Sequence, residues 1–228
     1  MTDGLWVFPP PATPFVAVEG TAARFAVRRI FCVGRNSVDH GLEMGGDPRT
    51  EPPFFFTKPA DAVVASGSTI AYPPETADFH HEGELVLAIG KGGSGISVAE
   101  APGHVFGHAA GNDLTRRDLQ AAAKAARRPW DMSKGFDASA VVGSIRPGAL
   151  EAGAELRLTV NGAVRQASPL SSMIWSVPEI VSYLSGLVTL APGDLIMTGT
   201  PAGVGPLVRG DHCEVTITGL APAGVSIA

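Results

Sequence analysis

The run Phe79-His80-His81-Glu82-Gly83-Glu84-Leu85-Val86-Leu87-Ala88-Ile89 constrains this chain more than any other stretch. From Leu85 to Ile89 it is an apolar, β-type run set directly on a polar head, which predicts a strand. Successive side chains of a strand face opposite ways. Glu82 and Glu84 therefore share a face with His80, while His81 and Leu85 take the other. Two neighbouring carboxylates repel unless a hard cation or basic side chains stand between them. Taken alone, Glu-x-Glu at a strand head is more often a solvated strand end than a metal site, because carboxylates are mostly exposed. The rest of the chain decides between the two.

The chain has 228 residues, 45% of them apolar and 17% charged, enough to bury a sizeable core and too apolar for disorder. With Gly 28 and Pro 19, the composition predicts a turn-rich, β-rich body in place of a helical bundle. The net charge is -5 and no basic block occurs, which argues against a nucleic-acid partner. No window approaches the apolar length of a membrane span, and the N-terminus lacks the pattern of a signal peptide. Cys32 and Cys213 form no motif and are expected as buried free thiols, consistent with a cytoplasmic protein.

Residues 1–24 carry Pro9, Pro10, Pro11 and Pro14 and are expected to form an extended arm. Residues 25–228 show neither repeats nor an interior linker and form the main domain. Arg28 to Gly34 predicts the first firm strand, and the turn after it leads to His40 and Glu43. Three apart, these two share a face of any helical turn; such a spacing alone equally fits a surface pair. In Phe54-Phe55-Phe56-Thr57-Lys58, Lys58 either snorkels from a core strand or is delivered to a pocket edge. Thr115 is a plausible N-cap for an Ala-rich helix at Gln120 to Arg127, placing Arg117 and Gln120 on one face near Asp113. Acid, cation and amide at a helix start suit an anionic ligand, although helix starts often carry charge clusters. Lys134 falls in a Pro- and Gly-marked loop over 128–137. Asn161-Gly162 predicts a hairpin, and Ser176-x-x-Glu179 a capping box opening a helix closed by Gly186. Gly199, Gly203 and Gly205 make a loop in which backbone amides can approach a ligand closely. The alternating run Cys213 to Thr218 is expected to close a sheet.

Six stretches in order, VGRNSVDHGLEMG, EPPFFFTKPADAVV, HHEGELVLAIGK, GNDLTRRDLQ, RPWDMSKGFD and GDLIMTGTPAGVGP, resemble the fumarylacetoacetate hydrolase family from about residue 28 onward. The likeness is closest to its small acylpyruvate and fumarylpyruvate hydrolases. It implies an α+β, β-rich fold: a mixed β-sandwich roll with a few peripheral helices, usually a homodimer. It further implies one Mg²⁺ or Mn²⁺ held by Glu82, Glu84 and Asp113, and a water-activating pair, His40 and Glu43. Lys134 and Gln120 become catalytic candidates; Arg117, Thr200, Arg35 and Lys58 become substrate-binding candidates. Ser37 stands where relatives often have Tyr, and Gly83 replaces a larger apolar residue, a change expected only to loosen the strand. The implied reaction is carbon–carbon hydrolysis of a 2,4-diketo acid to pyruvate and a second acid. Decarboxylases, hydratases and isomerases of 2-oxo acids are the alternative on the same scaffold. An organic-acid-binding protein without catalysis is a third reading, against which the presence of His40 and Glu43 counts.

Overall fold

The computed structural model describes residues 6–37 and 52–228. His40 and Glu43 lie outside the described residues. The strands are β1 (Phe15–Ala17), β2 (Arg24–Ala26), β3 (Arg29–Gly34), β4 (Phe54–Lys58), β5 (Val63–Ala65), β6 (Ser68–Ile70), β7 (Phe79–His81), β8 (Gly83–Ile89) and β9 (Val105–Asp113). After them come β10 (Thr115–Arg116), β11 (Ala140–Val142), β12 (Arg146–Pro147), β13 (Glu155–Val160), β14 (Ala163–Pro169), β15 (Asp194–Met197), β16 (Gly205–Pro206), β17 (His212–Ile217) and β18 (Ala223–Ile227). Three α-helices are described: α1 (Arg117–Ala125), α2 (Asp131–Lys134) and α3 (Val177–Leu187). None is long and apolar enough to cross a membrane.

An eight-stranded mixed sheet runs in the order β4-β3-β15-β8-β9-β11-β5, with β12 also on β9. A five-stranded sheet, β14-β13-β17-β18-β6, packs on one of its faces. Leu85, Leu87 and Ile89 point into that layer, against Leu156, Leu158, Val215 and Val225 and against Ile180, Val181 and Leu184 of α3. Val86 and Ala88 point the other way, with Ile30, Cys32, Leu195 and Met197, beneath Val16 of the β1–β2 pair. Both faces of β8 are thus covered, which is why its sequence is an unbroken apolar run instead of an alternating one. The architecture is the α+β, β-rich sandwich roll with few helices that the resemblance implied.

Several local expectations hold. Asn161 and Gly162 take φ of 52° and 79° and join β13 to β14, as a two-residue hairpin turn requires. Glu179 Oε2 accepts from Ser176 N at 2.8 Å, closing the capping box of α3. Cys32 and Cys213 are buried and unpaired with each other.

Others are corrected. The expected single strand over 79–89 is two strands in two sheets. It breaks at Glu82 because side chains, not strand partners, take the N–H groups there: Asn112 Oδ1 accepts from Glu82 N, and Gln166 Oε1 from Gly83 N, each at 2.9 Å. Gly83 does more than loosen the strand: a Cβ there would lie 3.1 Å from Leu158 Cδ1, so the two sheets approach closely on the glycine. Thr115 does not cap α1. Its pairing with His80 keeps it extended in β10, and the helix starts at Arg117. The loop at 128–137 contains the helical turn α2, and α3 runs through Gly186 to Leu187. β17 sits inside its sheet, with β18 beyond it. The boundary at 24/25 falls within β2.

Candidate metal centre

The break at Glu82 turns the head of β8 toward the end of β9. Glu84 pairs with Gly111, and Asp113 N donates to Glu82 O at 2.8 Å. This register brings one carboxylate oxygen each from Glu82, Glu84 and Asp113 within 4.8 Å of one another, all three residues buried. Among the described residues, no histidine joins the cluster. Gly199, whose φ of 96° favours glycine, passes close enough for its N–H to donate to Glu84 Oε2 at 2.7 Å.

Burial first, then Asp113 and Glu82, push the Glu84 carboxyl well above its ordinary pKa. Three crowded acids resist ionising together, and a cation among them relieves that cost. The donor set is all oxygen, hard and anionic, and fits Mg²⁺ or Mn²⁺. Lys134 Nζ contacts Glu82 Oε2 at 2.7 Å and Asp113 Oδ2 at 2.8 Å. Burial acts to lower the pKa of this ammonium, but Asp113 and Glu82 outweigh burial and raise it above its usual value. Lys134 therefore stands against the two carboxylates as a cation and hydrogen-bond donor.

Arg117, at the first turn of α1, donates from Nη2 to Glu82 Oε1 and from Nη1 to Gln120 Oε1 at 2.6 Å. Its Nε donates to His80 Nδ1 at 3.4 Å, and His80 Nε2 lies 2.7 Å from Asp78 Oδ1. His80 thus carries its proton on Nε2 and anchors Arg117. Burial, with Arg117 next, lowers its pKa. Burial holds His81 neutral too, down to about 4.

Most of these groups face a narrow, partly open cavity of about 30 Å³. Glu82, Glu84, Lys134, Gln120, Arg117, Arg35 and Thr200 line it, together with Val33, Gly34, Phe56 and Trp130. Asp113 lies behind that lining. Lys58, expected among the substrate-binding residues, does not reach the cavity: its side chain is fully buried, with Nζ 2.7 Å from Asp113 Oδ1. It pairs with Asp113 from inside β4, while Phe56 of the same strand lines the cavity. The aromatic wall of Phe56 and Trp130, ring centroids 5.7 Å apart, was not assigned from sequence. Gln166 was also missed. It joins Gly83 N to Thr200 Oγ1, donating to the latter at 2.7 Å. The exposed strand pattern around it gives no hint of that role.

The fumarylacetoacetate (FAA) hydrolase C-terminal family matches residues 29–227. The chain belongs to the fumarylacetoacetate hydrolase family. It is 44% identical over 183 residues to a fumarylpyruvate hydrolase from Ralstonia sp, covering 79% of this chain and 95% of that one. It is 42% identical over 200 residues to the mitochondrial oxaloacetate tautomerase FAHD1 of Mus musculus, 85% and 88% of the two chains. Among solved structures, fumarylpyruvate hydrolase from Pseudomonas aeruginosa in complex with Mn²⁺ and pyruvate superposes with a TM-score of 0.94 at 47% identity, covering 98% of this chain and 99% of that one.

Proposed function

We propose that this protein is a Mg²⁺- or Mn²⁺-dependent hydrolase that adds water across a carbon–carbon bond of an acylpyruvate such as fumarylpyruvate, giving pyruvate and a carboxylic acid. The observation that carries the reading is the buried triad of Glu82, Glu84 and Asp113 with Lys134 lodged against it. The likeness to a fumarylpyruvate hydrolase solved with Mn²⁺ and pyruvate supports it.

Glu82, Glu84 and Asp113 would hold the ion, which would supply Lewis-acid polarisation of the bound 2-oxo acid. The chain's own groups do the rest. Arg117 and Arg35, both lining the cavity, attract the substrate carboxylate, and Thr200 closes the wall beside them. His40, oriented by Glu43, takes a proton from a water that attacks the distal carbonyl carbon. Lys134 and Gln120 donate to the resulting oxyanion. Arg117 holds Gln120 Oε1, which leaves the Nε2 hydrogens to donate. Collapse of the tetrahedral species breaks the carbon–carbon bond and expels pyruvate as its enolate, which a proton converts to the ketone. We further propose that the protein acts as a homodimer.

The likeness to an oxaloacetate tautomerase favours a second reading, in which the same pocket tautomerises or decarboxylates oxaloacetate. A panel of fumarylpyruvate, acetylpyruvate and oxaloacetate, with Mn²⁺, with Mg²⁺ and after chelation, separates the two. Hydrolysis is expected to yield pyruvate and a second acid only from the acylpyruvates and only with metal. Turnover of oxaloacetate alone supports the second reading. Tight binding of pyruvate with no turnover supports a binding protein. Full acylpyruvate hydrolysis by His40→Ala would sink the assignment of the base.

A further inference from the structure

Two cations share one face of α1. Arg117 and Gln120 line the cavity, and Lys124 follows them on the same helix. With about 3.6 residues per turn, Lys124 comes round to within about 20° of Arg117 on the helix surface. The rise of about 1.5 Å per residue sets its Cα roughly 10 Å farther along the axis. Helical side chains lean toward the N-terminal end, which directs the lysine stem back toward Gln120 and the cavity. No step of the proposed reaction uses Lys124.

The charges on this side of the cavity are met unequally. Arg117 is matched by Glu82 and further held by Gln120 and His80. Arg35 lines the cavity from the end of β3, with a φ of 58° that a residue other than glycine seldom takes, and its Nε is buried without a hydrogen-bond partner. Lys124 is half-buried and meets no acid. Burial first, then Arg35 and Arg117, lower its pKa. A lysine in the last turn of a helix is ordinary, since the helix dipole favours a cation there. One crowded by two guanidinium groups at a cavity is not, and an anion beside it relieves the repulsion.

We propose that Lys124 is a specificity-determining residue that receives a carboxylate at the acyl end of the substrate, so that acid-ended acylpyruvates are taken in preference to neutral-ended ones. The inference rests on the hydrolase reading above. Arg117 and Arg35 already serve the carboxylate at the metal end, so a substrate with a single carboxylate leaves Lys124 unmatched. In fumarylpyruvate six carbon–carbon bonds separate the two carboxylates, roughly 7–8 Å when extended, which suits the spacing from Arg117 to Lys124 on α1. The acyl-end carboxylate keeps its charge throughout the reaction. Lys124 therefore holds ground state and transition state alike, and its contribution falls on KM and not on kcat.

The test compares fumarylpyruvate with acetylpyruvate, whose acyl end is neutral, in the presence of excess Mn²⁺. In Lys124→Gln the ratio of the two kcat/KM values should fall roughly 10-fold, through KM for fumarylpyruvate, the low end for a hydrogen bond to a charged group because Lys124 is only half-buried. Lys124→Arg should restore most of the ratio. An unchanged ratio in Lys124→Gln, or an equal fall on both substrates, overturns the inference. Titration calorimetry on the Mn²⁺-loaded protein supplies a readout without turnover. Wild type should bind fumarate more tightly than monomethyl fumarate, and Lys124→Gln should lose most of that difference; a difference that persists in the variant overturns the inference. If wild type hydrolyses neither acylpyruvate, the hydrolase reading fails, and the calorimetric difference alone decides whether Lys124 receives a carboxylate.

Discussion

Two buried aspartates in this molecule each sit between two cations, and they serve opposite ends. Asp194, at the start of β15, accepts from Arg28 Nη1 at 3.0 Å, from Arg29 Nη2 at 2.8 Å and from Ala191 N at 2.9 Å. Both of its oxygens are saturated by forked donors whose side chains remain 49% and 33% exposed, so the charge is matched and the arginines keep some water. Asp113 is flanked by two lysines that are almost wholly buried, and two further carboxylates crowd it. Lysine is a compact, rotatable point charge that does not lock a carboxylate as an arginine fork does. Asp194 clamps β15 to β3, a finished structural joint. The Asp113 cluster is left short of positive charge at Glu84, which is what a metal site needs and a structural joint avoids.

Substitutions that neutralise one acid in each cluster should therefore move stability and activity in opposite directions. The largest effect is expected from Glu84→Gln. It removes one of the three carboxylates proposed to hold the ion, while Gln can still accept the Gly199 N–H. Hydrolysis, assayed with excess Mn²⁺, should fall by at least about 10³-fold. The metal-free protein should gain about 0.5–2 kcal/mol in denaturant melts, because a crowded charge is gone. A loss of stability would break the contrast.

Lys134→Met should lower kcat by about 10²–10³-fold, the cost of one oxyanion donor, without matching its loss in substrate affinity. Equal changes in kcat and KM would place the lysine in binding instead. Asp194→Asn should leave turnover per folded molecule near wild type. Its stability should fall by about 1–3 kcal/mol, less than for a fully buried pair because the arginines can rehydrate. Differential scanning calorimetry beside an active-site titration checks both halves.

The smallest effect is a pH slope. Glu84 has a folded pKa raised above its unfolded value. Its ionisation costs the metal-free fold stability above that raised value, and the cost fades as pH falls through it toward the ordinary carboxylate range. Mild acidification within that window should raise the melting temperature of metal-free protein and weaken Mn²⁺ binding, since the ion competes with the proton. Glu84→Gln should flatten the stability slope. A wild-type Mn²⁺ affinity independent of pH there would show that Glu84 is ionised before the ion arrives.

Local signals in the chain carried a large part of the structure. Asn161-Gly162, Ser176-x-x-Glu179 and the apolar run of β8 name their own conformations, because a positive φ, a cap or a two-sided burial each demands particular side chains within a few residues. That Glu82 and Glu84 could meet was legible as well, although Glu82 lies between β7 and β8 and unbroken strand periodicity does not carry the contact. The switch of sheets at Glu82 was not. It depends on Asn112 and Gln166, 30 and 83 residues from the N–H groups they receive. Lys58 shows the same limit: its β-strand context fitted both a snorkelling lysine and a pocket edge. It takes neither course, because its partner Asp113 is brought to it by the pairing of β8 with β9 across the sheet. What the sequence by itself determined was the local elements and, through the resemblance to the family, which residues could form a hard, anionic cluster. Only the tertiary structure decided which cation stands behind each acid, because contacts between distant strands follow from register and packing and leave no periodicity to read.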